Sequence, residues 1–541
     1  MKRKSLFVLF FAAILVISMV GLKVPALAAG EDTSPESVNL SLENDNPGQA
    51  YNAGGQANQV REVELDENAT NPSAVTEAPS SVEETNEGGI HQVNHPTDAD
   101  ELNKTEETTG KQAGPQDENS AQKTPPSSTS DAIYLNGEKG DDNNSGASPE
   151  EAVKTFGKAK ELASQDKNIK KIFVLGTVSA EGDLSLENIE AKIYRYPKFS
   201  GYLFQVDKDK TATLKQVQVN GNSDNVADNE KSLIHVLGTL AIEDGTVLEN
   251  NHIASPEKYC TTGGAVYVNG GILNMTAGLI YNNTATWGGG VYVANRGTFN
   301  FSGGTIQGNK AESGKISGLP NNAASGGGIC VHDTGTLNMS GDATVEKNYS
   351  EETGGGVAIG VQEATFTGDN LFYMTGGVID ANESGACGGG LFIQAGYSSH
   401  RNKVYISAGK ISNNRMLGTG KMNMAFGGGG IYVNGFAPGY DFYNAELYLT
   451  NVIIKDNQSD YHGGGYASCP VSLTKVYVTD GGAIYANQAS AGGKDLYILA
   501  TKAKEYGAHG GDPAYEVSPR MLGGPAMIGG MMKEIRSQLT S

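Results

Sequence analysis

The stretch that decides the fold is residues 288–309, which read GGGVYVANRGTFNFSGGTIQGN. Alternation along the strand places Val291 and Val293 on one face and Tyr292 on the other. The alternation returns after the next glycine, and the stretch closes with an aliphatic-x-x-Asn tetrapeptide that ends at Asn309. These residues therefore predict one unit of three short strands separated by glycine or asparagine corners.

The unit recurs every 25 to 40 residues without a linker between copies. Its glycine run opens again at Gly263, Gly288, Gly326, Gly354, Gly388 and Gly428. A unit of this size cannot bury its apolar face alone, so the copies must stack on one another. The sequence predicts an all-β fold, a single-stranded parallel β-helix of about ten coils over residues 172–500.

The aliphatic-x-x-Asn tetrapeptides predict a structural ladder at one corner of the coils. Stacked amides there would bond along the axis and satisfy backbone groups at the corner. A ligand-binding role for this column is the less favoured alternative. The predicted ladder consists of Asn222, Asn250, Asn283, Asn309, Asn348, Asn382, Asn414, Asn457 and Asn487.

The chain begins with an export signal over residues 1–28: a basic start, an apolar run and Ala26-Leu-Ala28 as a cleavage site. A retained membrane anchor is the alternative, although the apolar run is only marginally long enough to span a bilayer. Residues 29–130 are a predicted acidic, disordered stalk, because residues 31–130 hold 20 Asp and Glu against 4 Lys and Arg and a single aromatic residue. No basic stripe suggests a nucleic-acid partner.

Residues 131–171 are predicted to cap the solenoid, with an amphipathic helix near 149–165. Ser148 and Glu151 have the spacing of a capping box, and Pro149 suits the first helical position. Asp141 and Asp142, with the nearby Asn144, suggest either a calcium loop or, more simply, an Asx-rich turn. Residues 501–541 are predicted to be an irregular tail.

The Gly-Gly-Ala-Val sequence at Gly263 and the Gly-Gly-Ala-Ile sequence at Gly481, with their aliphatic-x-x-Asn partners, resemble the paired repeats of chlamydial polymorphic membrane proteins. The same units are similar to right-handed β-helix, adhesin-like surface proteins of Gram-positive bacteria. The resemblance covers residues 132–500 and implies a right-handed, pectin-lyase-like solenoid that projects outward from a cell. The closing barrel strands of the first family and the Leu-Pro-x-Thr-Gly sorting signal are missing from this sequence, so its anchorage is open.

The strand after the glycines offers no catalytic pair. Its outward positions read Tyr267, Tyr292, Cys330, Ala358, Phe392 and Tyr432, followed by Asn269, Ala294, His332, Gly360, Gln394 and Asn434. General acid–base cleavage of a glycoside needs two carboxyl groups, and neither column holds them. We predict no catalytic residue, metal or cofactor. The four cysteines fall in alternate coils, too far apart for disulfides, and are predicted to be reduced.

Three consecutive coils carry insertions after this strand, at Gly360–Asn370, Gln394–Asn402 and Asn434–Asn444. Loops on a rigid scaffold are the usual place for recognition in solenoids, and aromatic faces beside an arginine suit sugars or a protein hot spot. The alternative is that these loops only shield apolar sides of the coils. The predicted ligand-binding residues are Tyr397, His400, Arg401, Phe436, Tyr440, Phe442 and Tyr443.

The sequence thus favours a secreted or cell-surface adhesin-like protein, a monomer that binds a host or environmental glycan or surface protein. No membrane span is expected after signal cleavage. The alternative function is a polysaccharide-processing β-helix enzyme, a lyase or glycoside hydrolase, whose site has not been recognised. An aromatic-rimmed loop cluster favours the binder, and a carboxylate-lined groove favours the enzyme.

Overall fold

A computed structural model describes residues 131–226, 229–253, 261–313, 324–361, 368–396, 400–421, 427–435, 445–468, 475–479, 482–497 and 516–517. All of them belong to the second of two units into which the chain divides, Asp117–Ser541. The described part is all-β apart from one α-helix and one 3₁₀ turn, Ser223–Asn225. Its strands form three long parallel sheets in a solenoid-like arrangement.

The strands of one unit are distributed over the three sheets. The first and longest has 21 strands: Ala132–Asn136, Lys171–Gly176, Gly182–Ser185, Lys192–Arg195, Thr211–Lys215, Gln218–Asn220, Thr239–Ile242, Val247–Glu249, Ile272–Met275, Leu279–Tyr281, Thr298–Phe301, Thr305–Gln307, Thr336–Met339, Thr344–Glu346, Asn370–Asp380, Asn402–Ser412, Glu446–Thr450, Ile453–Lys455, Lys475–Thr479, Ala483–Tyr485 and Glu516–Val517. The second has 11 strands: Val178–Ser179, Phe204–Val206, Ile234–Val236, Val266–Asn269, Val291–Ala294, Ile329–Val331, Val357–Ile359, Leu391–Ile393, Ile431–Val433, Tyr466–Ser468 and Leu496–Tyr497. The third has seven: Thr284–Ala285, Lys310–Ala311, Tyr349–Ser350, Glu383–Ser384, Arg415–Met416, Gln458–Ser459 and Gln488–Ala489.

Equivalent strands of successive repeats pair in register. Val291 pairs with Val266 behind it and with Ile329 ahead, and Phe299 pairs with Leu273 and Leu337 in the same way. The inward residues of the first two sheets form one continuous core of fully buried aliphatic and aromatic side chains. Burial of this stacked column supplies the stabilisation that an isolated unit lacks.

The corner between the first and third sheets holds a column of buried asparagines. At Asn309, the backbone N–H and Nδ2 both donate to Oδ1 of Asn348, at 2.9 and 3.0 Å, and Nδ2 also donates to the carbonyl oxygen of Ile280 at 3.0 Å. The same link repeats along the column. Its members are Asn251, Asn283, Asn309, Asn348, Asn382, Asn414, Asn457 and Asn487.

Two predicted members of the ladder are not in it. Asn250 adopts a positive φ of 55° and accepts a bond from Asn282, while Asn251 donates to Asn283 and occupies the ladder position. Leu248 is the buried aliphatic residue of this copy, so counting three residues from it leads to Asn251. Asn222 lies three residues after Val219, which pairs with Leu248, but its Nδ2 donates to the carbonyl oxygen of Arg195 instead.

Charged side chains of opposite sign close the two ends of this ladder. At its start, the fully buried Arg195 donates through Nη2 to Oδ1 of Asn251 at 3.2 Å. At its end, the backbone N–H and Nδ2 of Asn487 donate to a carboxylate oxygen of Asp495 at 3.0 Å each. Every link donates in the same direction, so the ladder presents oxygen at its start and N–H at its end. The cation and the anion therefore match the dipole of the chain of amides, as end charges match a helix dipole.

In the last repeat, the motif at Gly481 occupies a different position in the repeat from the motif at Gly263. Ala483–Tyr485 pairs with Ile453–Lys455 in the 21-stranded sheet, so Ile484 takes the place of the aliphatic residue before the corner asparagine. The glycine-run corner of this repeat is formed further on, by Gly493, Lys494 and Asp495. A motif of glycines and an aliphatic residue therefore occurs at two different places in the repeat.

The helix is shorter than predicted and begins later, at Phe156–Gln165. Its N-cap is Thr155, whose side chain accepts from the backbone N–H of Lys158. Asp142 orders this start because its carboxylate accepts from the backbone N–H groups of Lys154 and Thr155, at 2.8 and 2.9 Å. Ser148 and Glu151 instead close a turn ahead of the helix. The acidic loop thus serves as an Asx-type turn and helix cap.

A second cluster of buried residues lies on the outer face of the 11-stranded sheet. The sequence placed the column from Tyr267 to Tyr432 outward, and its register is as predicted. Cys330, Ala358 and Phe392 are nevertheless 0% exposed, and they cluster with Ala386 and Cys387. These positions therefore belong to a buried cluster separate from the inward core and are not open to solvent. Cys330 and Cys387 are buried thiols in this cluster, and burial raises the pKa of Cys330 far above its ordinary value.

Candidate binding surface

Two of the seven predicted binding residues, His400 and Arg401, are in the described part of the chain. They end the second insertion, immediately before the strand Asn402–Ser412. The remaining five, Tyr397, Phe436, Tyr440, Phe442 and Tyr443, lie outside the described residues.

The ends of the three insertions are joined by buried amide side chains. Nδ2 of Asn370 donates to Oδ1 of Asn402 at 2.7 Å, and Nδ2 of Asn402 donates to the carbonyl oxygen of Gln394 at 2.7 Å. Nδ2 of Asn434 donates to Oε1 of Gln394 at 2.6 Å. These four side chains are at most 7% exposed. The described ends of the insertions are therefore held next to one another on a fixed polar base, because a buried network of this kind tolerates few alternative arrangements.

An ionic cluster lies beside this base. Asp369 accepts from the backbone N–H of Arg401 at 2.8 Å and from Nζ of Lys403 at 2.5 Å, and Nδ1 of His400 is 3.9 Å from its Oδ1. Partial burial works to raise the pKa of the Asp369 carboxyl, but the bonds from Lys403 and from Arg401 outweigh it and hold that pKa below its ordinary value. The bond to Asp369 likewise raises the pKa of Lys403. Arg401 also pairs with Glu446 of the next repeat. Both carboxylates are therefore committed to cations.

Three stacked tyrosines follow the insertions on the outer face of the 21-stranded sheet. Tyr373 and Tyr405 have ring centroids 5.2 Å apart, and Tyr405 and Tyr448 are 4.8 Å apart, with rings within 9° of parallel. Tyr373 is 38% exposed, and the other two are half-buried. These tyrosines were not predicted from the sequence, because they lie neither in the insertions nor in the strand after the glycines. A sequence pattern that identifies them is a tyrosine between two buried residues, which occurs in Phe-Tyr-Met, Val-Tyr-Ile and Leu-Tyr-Leu.

The chemistry of the 11-stranded sheet does not resemble an acid–base site. Burial lowers the pKa of His332 to about 4, so this histidine is neutral near pH 7. His235 accepts at Nε2 from Asn269 and therefore donates at Nδ1 to Gln205, which defines one neutral tautomer. Burial, followed by the charge of Lys231, lowers the pKa of His235 as well. Within the described ranges, no group of three or more His, Cys, Asp and Glu is placed to hold a metal ion.

The chain was compared with known protein families, curated proteins and solved structures. No family model, no curated protein and no solved structure matches the chain. In the part of the chain that the structure describes, no helix has the length and apolar character needed to cross a membrane.

Proposed function

We propose that the chain is a secreted or cell-surface adhesin-like protein, a right-handed, pectin-lyase-like parallel β-helix that binds a glycan or a surface protein as a monomer. The repeat resemblance and the export signal support the location, and the in-register parallel strands support the fold. Residues 29–130 would form an acidic, solvated stalk.

The observation that carries this function is the shared polar base of the three insertions. The side chains of Asn370, Gln394, Asn402 and Asn434 join the described ends of three consecutive insertions. Arg401 at this base, and aromatic residues in the second and third insertions, have the composition of a recognition surface. A scaffold ordered before it meets its ligand loses less conformational entropy on binding.

The alternative, a polysaccharide-processing enzyme, receives less support from the described residues. Among the described residues at the ends of the insertions, Asp369 and Glu446 carry carboxylates, and each is bonded to a cation of its own. Glycoside cleavage by two carboxyl groups requires one acid that holds a proton and one base. The lowered pKa of Asp369 is opposite to what a general acid at neutral pH needs.

The test combines a glycan array with an activity screen on pectins, alginates and host glycans. The double variant Tyr440→Ala, Tyr443→Ala should lose array or cell-surface binding by tenfold or more while keeping the circular dichroism of the parent, because two aromatic contacts are removed. Tyr461→Ala is the matched control, since Tyr461 is 42% exposed and lies outside both the insertions and the strands of the 21-stranded sheet. Product release from any polysaccharide would contradict the binding function. Unchanged binding by the folded double variant would contradict the assignment of the ligand to the insertions.

A further inference from the structure

One column of amides and phenols runs along the outer face of the 21-stranded sheet. The column has one member in each repeat, in the strand that directly follows the strand of the 11-stranded sheet. Each member pairs in register with the next. We call this the amide–phenol column, and it consists of Asn274, Asn300, Asn338, Tyr373, Tyr405 and Tyr448.

The side chains of this column are held in one direction. Nδ2 of Asn338 donates to Oδ1 of Asn300, and Nδ2 of Asn300 donates to Oδ1 of Asn274, each at 2.8 Å. An amide has two N–H donors and an oxygen that accepts twice, so Asn300 keeps one donor and one acceptor position beyond these two bonds. The tyrosines continue the line as a parallel stack, with Tyr373 exposed. The column is therefore ordered in advance of any ligand.

A second column lies beside the first and contains only hydroxyl residues. It is formed by the residue that follows the second inward side chain of each repeat in this sheet. Thr375 pairs with Ala408 across a register shift, so its neighbour Ser407 is offset by one residue. Four of the six members are exposed and two are half-buried. Neither this column nor the amide–phenol column has a charged member. The hydroxyl column consists of Thr276, Ser302, Ser340, Thr375, Ser407 and Thr450.

The cations and carboxylates beside the tyrosines of this face are paired. Lys403 is bonded to Asp369, and Arg401 to Glu446. An anionic polymer would therefore find no excess of positive charge here, and a cationic one no excess of negative charge. A ligand of this face is selected by hydrogen bonding and aromatic contact, not by charge.

The amide–phenol column repeats along one line at the spacing of parallel strands, about 4.8 Å, and the hydroxyl column supplies one group per repeat beside it. A ligand that uses equivalent groups on successive repeats must itself repeat along that line, carry hydroxyl groups and be neutral. We infer that this face binds a single chain of a neutral, unbranched polysaccharide that lies across the strands. This inference rests on the proposed binding function and names the class of its ligand.

The first test is electrophoresis of the full chain in native gels that contain a polysaccharide. Hydroxyethylcellulose, a mixed-linkage β-glucan and a linear mannan represent neutral chains, and polygalacturonate represents an anionic one. At least one neutral chain should retard the protein tenfold more than polygalacturonate, and its oligosaccharides should compete more strongly as they lengthen from two to six sugars. Equal retardation by polygalacturonate, no retardation by any neutral chain, or competition that does not depend on length would overturn the inference.

The second test uses variants of the face. Tyr405→Ala and Thr375→Arg should each weaken retardation about tenfold, by loss of an aromatic contact and by obstruction. Thr375 is exposed, so its variant tests the same face even if Tyr405→Ala does not fold. Glu383→Arg is the control, because Glu383 is exposed on the seven-stranded sheet.

The two proposals fail in different ways. If Tyr440→Ala, Tyr443→Ala abolishes binding while the two face variants bind as the parent does, the ligand occupies the insertions, and the present inference is wrong but the binding function stands. If no glycan or cell surface binds the parent protein, the binding function itself is wrong.

Discussion

Among the described residues, two asparagine ladders have the same spacing and differ in burial. The corner ladder from Asn251 to Asn487 is buried, and each interior member donates to the next through both its backbone and its side chain. The face ladder Asn274, Asn300, Asn338 is half-buried and is linked by single side-chain bonds. The same residue at the same interval thus has two roles. Where water is excluded, an unmade bond is expensive and the asparagine specifies the stacking; where water is present, the bond contributes little and the side chain is available to a ligand.

The ends of the corner ladder extend this contrast. A chain of aligned amides has an oxygen without a donor at one end and N–H groups without an acceptor at the other. In a buried chain, both ends need hydrogen-bond partners. Arg195 and Asp495 meet these ends with charges of the matching sign. The face ladder needs no such residues, because solvent satisfies its ends.

The largest expected effect comes from breaking the corner ladder at its middle. Asn382→Ala removes the partner of the backbone N–H and Nδ2 of Asn348 and of the carbonyl oxygen of Val345. Since these groups remain buried, we expect a loss of about 3 kcal/mol or more in the free energy of unfolding. Asn338→Ala on the face is the matched control, with an expected loss under about 1 kcal/mol. Urea unfolding followed by circular dichroism measures both, and equal losses would refute the comparison.

Removal of the buried cation should have the next largest effect. Arg195→Met leaves Oδ1 of Asn251 and the carbonyl oxygens of Phe199, Gly201 and Lys231 with one donor fewer. The variant also removes the cost of burying a charge. That cost is large, because burial lowers the pKa of Arg195 to about 9. We therefore expect a loss of about 2 kcal/mol, smaller than that of Asn382→Ala, in the same urea experiment. A loss larger than that of Asn382→Ala would show that Arg195 has a role beyond the ladder.

A smaller effect is expected at the other end, where Asp495 is only half-buried. Asp495→Ala should cost about 1 kcal/mol, because Asn487 loses the acceptor of its backbone N–H and Nδ2. Asp495→Asn keeps an oxygen in place and should recover most of that loss. If the asparagine variant is as unstable as the alanine variant, the charge of Asp495 matters more than its acceptor.

The smallest effect concerns acid stability. Hydrogen bonding from His252, together with the bond and charge of Lys310, lowers the pKa of Glu312 from an ordinary 4.5 to about 2. Because the folded-state pKa is depressed, the contribution is complete above pH 4.5 and is lost as the pH falls toward 2. Partial exposure of Glu312 keeps it small. In Glu312→Gln, the urea midpoint should change less with pH across this interval than it does in the parent. Asn382→Ala removes no charge and should leave the pH dependence of the midpoint unchanged.

Much of the repeat follows from local sequence. Period-2 alternation identifies the inward residues Val291, Val293 and Phe299, since a strand has only two faces. The aliphatic-x-x-Asn tetrapeptides locate the corner, and they do so even at Asn251 when the count begins at Leu248. The ends of the insertions at Gln394 and Asn402 were also visible in the sequence, as polar residues that flank an extra length of chain.

Only the tertiary structure decided which outer face is exposed. Tyr292 and Tyr373 occupy similar alternating positions in sequence, yet Tyr292 is 5% exposed within a second core and Tyr373 is 38% exposed beside two other tyrosines. Alternation separates the faces of a strand but does not say what packs on each, because that depends on residues distant in sequence. For the same reason, the sequence determined the repeating unit and its buried corner, and the folded chain determined where a ligand has access to it.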